Sequence, residues 1–332
     1  MVYVLGIRLL FGVLISFLIT FYLIPLMQLI AKKHNIMDMP DGQIKLHKEP
    51  TPYLGGMAVY IGFLTALAFI FPFNNHMMLI VVGLTLLFFI GLIDDLIPLK
   101  AYQKFGGQAL VAFCFLKAGF YLKTTFFLSN WWSMGFSLLW IATVINAFNL
   151  VDVMDGLAST LAICATISFG VIAVISGQAS VLLLLAPFLG SLLAFLWYNR
   201  PKAQIYLGDT GSLVIGGFLS VIPFLFNWGT YGPYGFLTPL IILAIPLLEV
   251  GTLIVVRTYK GIPFYNGSPD HFSIYLQQKK WTKIQILIYV ALLSVVLCAA
   301  SALVFLHILP WGGIVALGTL FLAMWYAILL RN

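Results

Sequence analysis

Long apolar runs alternate along the chain with short stretches of polar, Gly or Pro residues. Eleven runs stand out: 3–30, 53–71, 77–95, 106–122, 131–147, 158–176, 180–197, 212–227, 236–256, 284–305 and 311–330. Most approach the roughly 20 apolar residues a helix needs to cross a bilayer. They are too long for barrel strands and lack strict alternation, so the pattern predicts an all-α, polytopic integral membrane protein with about 11 transmembrane helices. No Ser/Gly-rich linker, soluble stretch or internal repeat interrupts it. Residues 1–332 therefore read as a single transmembrane domain, with polar loops near 31–52, 94–105, 148–157, 198–211 and 257–283. The first run starts beside Met1 and passes Leu26 without a small-residue cleavage site, which predicts a retained helix.

Composition agrees. Of 332 residues 62% are hydrophobic and 8% charged, whereas a soluble domain carries about 25% charged residues. A soluble globule, a disordered chain and a disulfide scaffold are excluded. Cys114, Cys164 and Cys298 each sit inside an apolar run, with no Cys/His metal spacing. Fourteen of the 17 Lys and Arg fall in alternate loops, from Lys32 to Arg331. This bias predicts an outside N-terminus and a cytoplasmic C-terminus. All ten acids lie on the same side. The Lys/Arg rule does not explain that; a site that needs carboxylates does.

Three acidic clusters mark the cytoplasmic helix ends, where ionisable groups are functional candidates. The first, Asp94-Asp95, closes the third run, with Lys104 and Gln108 following. In the second, Asn146, Asn149, Asp152 and Asp155 recur every third residue before Gly156. If helical, they share one face, suited to a hard cation or a sugar–phosphate. The third, Tyr206-Leu-Gly208-Asp209-Thr210-Gly211-Ser212, opens the eighth run. It offers backbone N–H groups to an anion and an Asp to a divalent metal. Two basic loops hold His47, between Lys45 and Gly55-Gly56, and His271, within Ser268-Pro-Asp270-His271-Phe272. His34, His76 and His307 read as ordinary solvated or packed residues. Carboxylates, a Gly-rich helix start and Lys/Arg/His on one face point to Mg²⁺-assisted chemistry on phosphates.

In this order the segments resemble the polyprenyl-phosphate N-acetylhexosamine-1-phosphate transferase family. The elements are Lys45-x-His47 with Pro50 and Gly55-Gly56, Asp94-Asp95 with Lys104 and Gln108, Asn146 through Gly156, and Asn199 with Gly208 through Ser212. The resemblance implies transfer of a sugar-1-phosphate from a UDP-N-acetylhexosamine to a polyprenyl phosphate, with release of UMP, in a bacterial cytoplasmic membrane. It implies Mg²⁺, or Mn²⁺, with Asp209 as main ligand and Asp95 and Asp152 beside it. Asp94 and Asp95 would lie next to the acceptor phosphate. Asn149, Asp152 and Asp155 would bind uridine diphosphate or support the metal, while Lys104 and His47 would contact phosphate. Lys45, Asn146, Asn199, Gly208, Ser212 and His271 complete the expected substrate contacts. Partners are the two substrates, the bilayer and, as one option, a second copy of the chain; no nucleic acid is implied.

The family usually has Gly where Val153 stands and several histidines where His271 stands alone. The lone His271 disfavours a pentapeptide-bearing donor and favours a simpler UDP-sugar. A lipid phosphate with a second pKa near 6, like phosphoserine, is mostly dianionic at neutral pH. Shielding of anion repulsion then outweighs a general base, and one in-line attack is favoured over a covalent aspartyl-phosphate. The competing classes are an intramembrane aspartyl protease, since Asp209-Thr210-Gly211-Ser212 copies a protease tetrad, and a lipid-linked sugar flippase or ion-coupled transporter. The first lacks Gly at Tyr206; the second calls for charges at the bilayer midplane.

Overall fold

The computed structural model describes residues 2–38, 50–73, 75–122, 130–229, 231–263, 265 and 267–330, and each of the eleven apolar runs is helical in it. In chain order the helices are α1 (Val2–Lys33), α2 (Gly55–Ile70), α3 (Asn75–Leu96), α4 (Ala101–Lys117), α5 (Asn130–Val151), α6 (Leu157–Ile175) and α7 (Ala179–Asn199). They continue with α8 (Gly208–Val221), α9 (Thr238–Ile242), α10 (Ala244–Tyr259), α11 (Phe272–Gln278), α12 (Lys283–Phe305) and α13 (Trp311–Leu330). Among the described residues seven helices are long and apolar enough to span a membrane, or eight with the bent pair α9–α10. About eleven is thus the number of helical runs, not of full-length spans. Gly55–Ile70 and Trp311–Ala327 are shorter apolar helices. A two-residue antiparallel pair, β1 (Met37–Asp38) and β2 (Thr51–Pro52), places Asp38 opposite Thr51.

Helix α8 is the hub. Beyond its polar first turns it is apolar all round from Leu213 to Leu219, is buried from Thr210 to Val221, and packs against α3, α5 and α2. A helix with no polar face is stable only when covered on all sides. By contrast α1 and α12 leave many large apolar side chains exposed, as expected of surfaces that face lipid. α1 covers α7 and α2, α6 lies between α7 and α12, and α4 and α10 flank α5.

Three boundaries differ from the sequence pattern. α4 starts at Ala101, with the Gln103 side chain accepting from the Lys100 N–H at 2.9 Å, so Lys104 and Gln108 share one face of its first turns. The expected 236–256 span is broken: α9 and α10 meet at 71°. Pro246 lacks the N–H that would bond back to Ile242, which accounts for the break. α5 ends at Val151, leaving Asp152 and Asp155 in a turn closed by Gly156 at φ +75°.

Candidate active site

The site is assembled where α3 ends and where α4 and α8 begin. Asp94 and Asp95, adjacent at the end of α3, point about 100° apart and take different tasks. The Asp94 carboxylate accepts the Leu99 N–H at 2.7 Å and lies 2.5 Å from the Lys104 ammonium. Lys104 also donates to Asp209 at 2.9 Å, so a single cation joins two carboxylates. Asp95 accepts from the Asp209 N–H at 2.7 Å, the Thr210 N–H at 3.0 Å and the Thr210 hydroxyl at 2.5 Å. It therefore caps α8 from a neighbouring helix, filling the role of the missing side-chain cap. Gly208, at φ +72°, makes this approach possible, since a Cβ there would collide with the Asp95 carboxylate. The start of α2 locks on as well: the Gly55 and Gly56 N–H groups donate to the Tyr206 and Leu207 carbonyls at 3.0 and 2.9 Å.

The expected single stripe from Asn146 to Asp155 is split, because the helix stops before its carboxylates. Asn149 donates to Asp209, and to Ser212 at 3.1 Å. Asn146 instead pairs with the buried Gln108, donating to it at 2.7 Å. Asp155 turns away from the cluster, accepting from Lys283 at 2.9 Å and from the Lys202 and Ala203 N–H groups at 3.2 and 3.4 Å. Asn199 is buried; its amide oxygen accepts the Gly156 N–H at 2.9 Å and its nitrogen donates to the Ile205 carbonyl at 2.8 Å. Both buckle together the turns around the site. Asp152 lies beside the cluster, and no described residue donates a hydrogen bond to its carboxyl. Lys45 and His47 lie outside the described residues.

The field in this region is negative. Burial, together with Asp209, Asp95 and Asp155, pushes the Asp152 carboxyl well above the usual range. Burial also raises the Tyr206 phenol to about 12, helped by Asp155, Asp38 and Asp152 and opposed by a hydrogen bond with Thr51. Burial works against the Lys104 ammonium, yet Asp209 and Asp94 outweigh it and raise its pKa. Asp155 has Lys283, and Asp94 and Asp209 share Lys104, but Asp95 and Asp152 form no ion pair with a described residue. That donor set, oxygen only and short of positive charge, fits Mg²⁺. Among the described residues no three His, Cys, Asp or Glu side chains form a closed metal cage. Mg²⁺ does not require one, since it is commonly held by one or two carboxylates plus phosphate and water.

Beside the cluster lies a cleft of about 330 Å³ between α4, α5 and α10. Phe105, Leu139, Val250, Leu253 and Ile254 form apolar walls, and Lys104, Asn146, Asn149 and Arg257 supply polar groups. Arg257 is 2% exposed and donates to Ser268 at 2.9 Å, drawing the loop after α10 toward the cleft. His271, in that loop, contacts Glu249 of α10 at 2.9 Å. Arg257 and Glu249 were not singled out by motif spacing, and Thr210 was noted only as part of the Gly208–Ser212 motif. For Arg257 and Glu249 the available signal was an ionisable residue within an apolar run.

The family model described as glycosyl transferase family 4 matches residues 77–227, which include the three acidic clusters. The chain is 31% identical over 279 residues to a probable undecaprenyl-phosphate N-acetylglucosaminyl 1-phosphate transferase of Bacillus subtilis, covering 81% of this chain and 76% of that protein. It is 30% identical over 281 residues to an undecaprenyl-phosphate alpha-N-acetylglucosaminyl 1-phosphate transferase of Thermotoga maritima, covering 83% and 85%. A phospho-N-acetylmuramoyl-pentapeptide-transferase of Streptococcus pneumoniae is 31% identical over 231 residues, 63% of this chain and 71% of that protein.

Proposed function

Because the chain belongs to glycosyl transferase family 4, we propose that it transfers N-acetylhexosamine-1-phosphate from a UDP-sugar to a polyprenyl phosphate and releases UMP. Undecaprenyl phosphate and UDP-N-acetylglucosamine are the first substrates to test, since the relatives' names specify undecaprenyl phosphate and an N-acetylglucosaminyl 1-phosphate group, which the UDP-sugar would supply. The carrying observation is the Lys104 bridge between Asp94 and Asp209 at the edge of a cleft with apolar walls. A lipid phosphate matches such a cleft: its chain lies along Phe105, Leu139 and Ile254, and its charge meets Lys104 and Arg257. The site works on the cytoplasmic face, with the whole chain as one transferase domain.

Asp209 and Asp94, with Asp152 nearby, would hold Mg²⁺ or Mn²⁺, while Asp95 serves α8 instead. A bound divalent cation would neutralise and polarise the diphosphate oxygens. Asp95 and Gly208 fix the first turn of α8, and Asn149 fixes Asp209 within it. Lys104 and Arg257 reduce the repulsion between two anionic substrates. An oxygen of the lipid phosphate then attacks the phosphorus next to the sugar. The bond from that phosphorus to the oxygen bridging to uridine monophosphate breaks, and UMP departs with the electron pair. Asn146, Lys45, His47 and His271 are the remaining candidates for substrate contact; Asp155, Asn199 and Ser212 support the site. Purified protein with undecaprenyl phosphate, MgCl₂ and a panel of UDP-sugars should release UMP, and EDTA should stop it. No UMP from any donor would overturn the reading.

A further inference from the structure

Glu249 stands alone among apolar neighbours on α10 and is 1% exposed. Its Oε1 accepts from the Phe272 N–H at 3.3 Å and lies 2.9 Å from the His271 Nδ1. Its Oε2 is buried with no hydrogen-bond partner among the described residues. Burying a carboxylate with one oxygen unused is costly, and a buried acid of this kind calls for an explanation. Helix capping alone is a weak one, because α11 is two turns long and a neutral side chain could cap it equally well. The histidine supplies a better one. The carboxylate form of Glu249 can only accept, which places the proton of this contact on Nδ1 and directs Nε2 across the ring, away from Glu249. His271 is itself 4% exposed. The contact is braced from the far side: Trp325 of α13 donates to Thr252 of α10 at 3.2 Å and its ring lies 4.9 Å from that of Phe272.

We infer that Glu249 is a positioning residue that fixes the tautomer and ring orientation of His271, so that Nε2 is presented to the substrate. The second half of this inference rests on the transferase reading; the tautomer does not. Pairing of a functional histidine with a carboxylate is a recurrent way to set which nitrogen acts, and loss of such an outer partner at metal-bound histidines costs about 10- to 100-fold.

Four variants of the full-length protein test it. Glu249→Met fills the volume without an acceptor. Glu249→Asp keeps the charge but withdraws the oxygen. Glu249→Gln keeps an acceptor without charge, and His271→Ala removes the partner. Met and Asp should lower kcat/KM for the UDP-sugar by about 10- to 100-fold, and Gln should recover most of the loss. On the His271→Ala background Glu249→Met should have almost no further effect, as expected for residues acting through one another. A loss that repeats undiminished on that background overturns the inference. So does a Met or Asp variant within threefold of the parent, or a Gln variant no better than Met. Independently of activity, ¹⁵N spectra of the five histidines, with His271 assigned from its loss in His271→Ala, should give a protonated Nδ1 in the parent. That signal should change in Glu249→Met. An unprotonated Nδ1 in the parent overturns the inference even in active protein, whereas absent UMP with the expected spectra overturns only the transferase reading.

Discussion

The acid cluster at the α3–α8 junction and the Glu249–His271 contact solve the same problem, a carboxylate buried in an apolar body, in opposite ways. In the cluster, two of four neighbouring carboxylates, Asp94 and Asp209, share one lysine, and Lys104 is a long side chain able to exchange one oxygen for another. Around Glu249, one acid meets one histidine and one backbone N–H in a closed contact. The first arrangement borders a cleft and leaves a deficit of positive charge that a ligand can fill; the second is shut off from solvent, Glu249 being 1% exposed, and serves to hold a neighbour. Within the cluster the contrast recurs at one residue's separation. Asp94 shares the lysine, and Asp95 secures a helix.

Breaking the shared lysine should have the largest effect. Lys104→Met leaves Asp94 and Asp209 without their cation, and UMP release should fall about 100- to 1,000-fold, the scale for loss of one electrostatic stabiliser. A loss of less than tenfold would mean that the bridge is structural. Next comes the split between neighbours. Asp95→Ala strips three hydrogen bonds from the start of α8 and should cost about 1–3 kcal/mol of stability. Its melting temperature in detergent should drop, whereas Asp94→Asn should lose turnover while melting near the parent. Identical behaviour of the two variants would erase the division of labour.

Asn199→Ala probes a residue that supports without facing the cleft. Removing both ends of a buried amide should also lower stability by about 1–3 kcal/mol, and the folded fraction should keep turnover within about threefold, an allowance set by the ~1 kcal/mol context-dependence of such effects. Turnover lost in step with Lys104→Met would move Asn199 into the substrate site.

The smallest effect belongs to Asp270, whose ion pair with Lys260 is largely exposed at 51% on the lysine side. Burial raises its carboxyl, but hydrogen bonds from Lys260 and Ser268 and the charges of Lys260 and Arg257 outweigh that and hold it low. A depressed acid contributes stability above its unfolded value of about 3.9. That contribution is lost as pH falls through the lower folded value. Lys260→Ala should therefore cost at most about 1 kcal/mol between pH 5 and 8. Melting curves that differ from the parent more at pH 4 than at pH 7 would contradict the sign.

Much of this was legible in the chain. Apolar runs separated by punctuation locate helices well, because burial in lipid leaves the backbone few other options. Asp94, Asp209 and Asn149 were found because acids and amides beside apolar helices are expensive and therefore conspicuous. The fate of Asp152 and Asp155 was not legible: the three-residue spacing holds only while the helix continues, and it ends at Val151. Asp155 and Asn199 look like ligands from their chemistry, and only tertiary packing reveals that Lys283 and Gly156 occupy them. Glu249 stood out only as an acid within an apolar run; its partner was not legible, because it lies 22 positions along the chain in a loop without periodicity.

The most direct test of the central claim is UMP release measured with and without undecaprenyl phosphate, for the parent and for Asp209→Asn. UMP should appear only from the parent and only with the lipid phosphate present, with the variant folded but inactive. Near-parental UMP release by Asp209→Asn would contradict that claim.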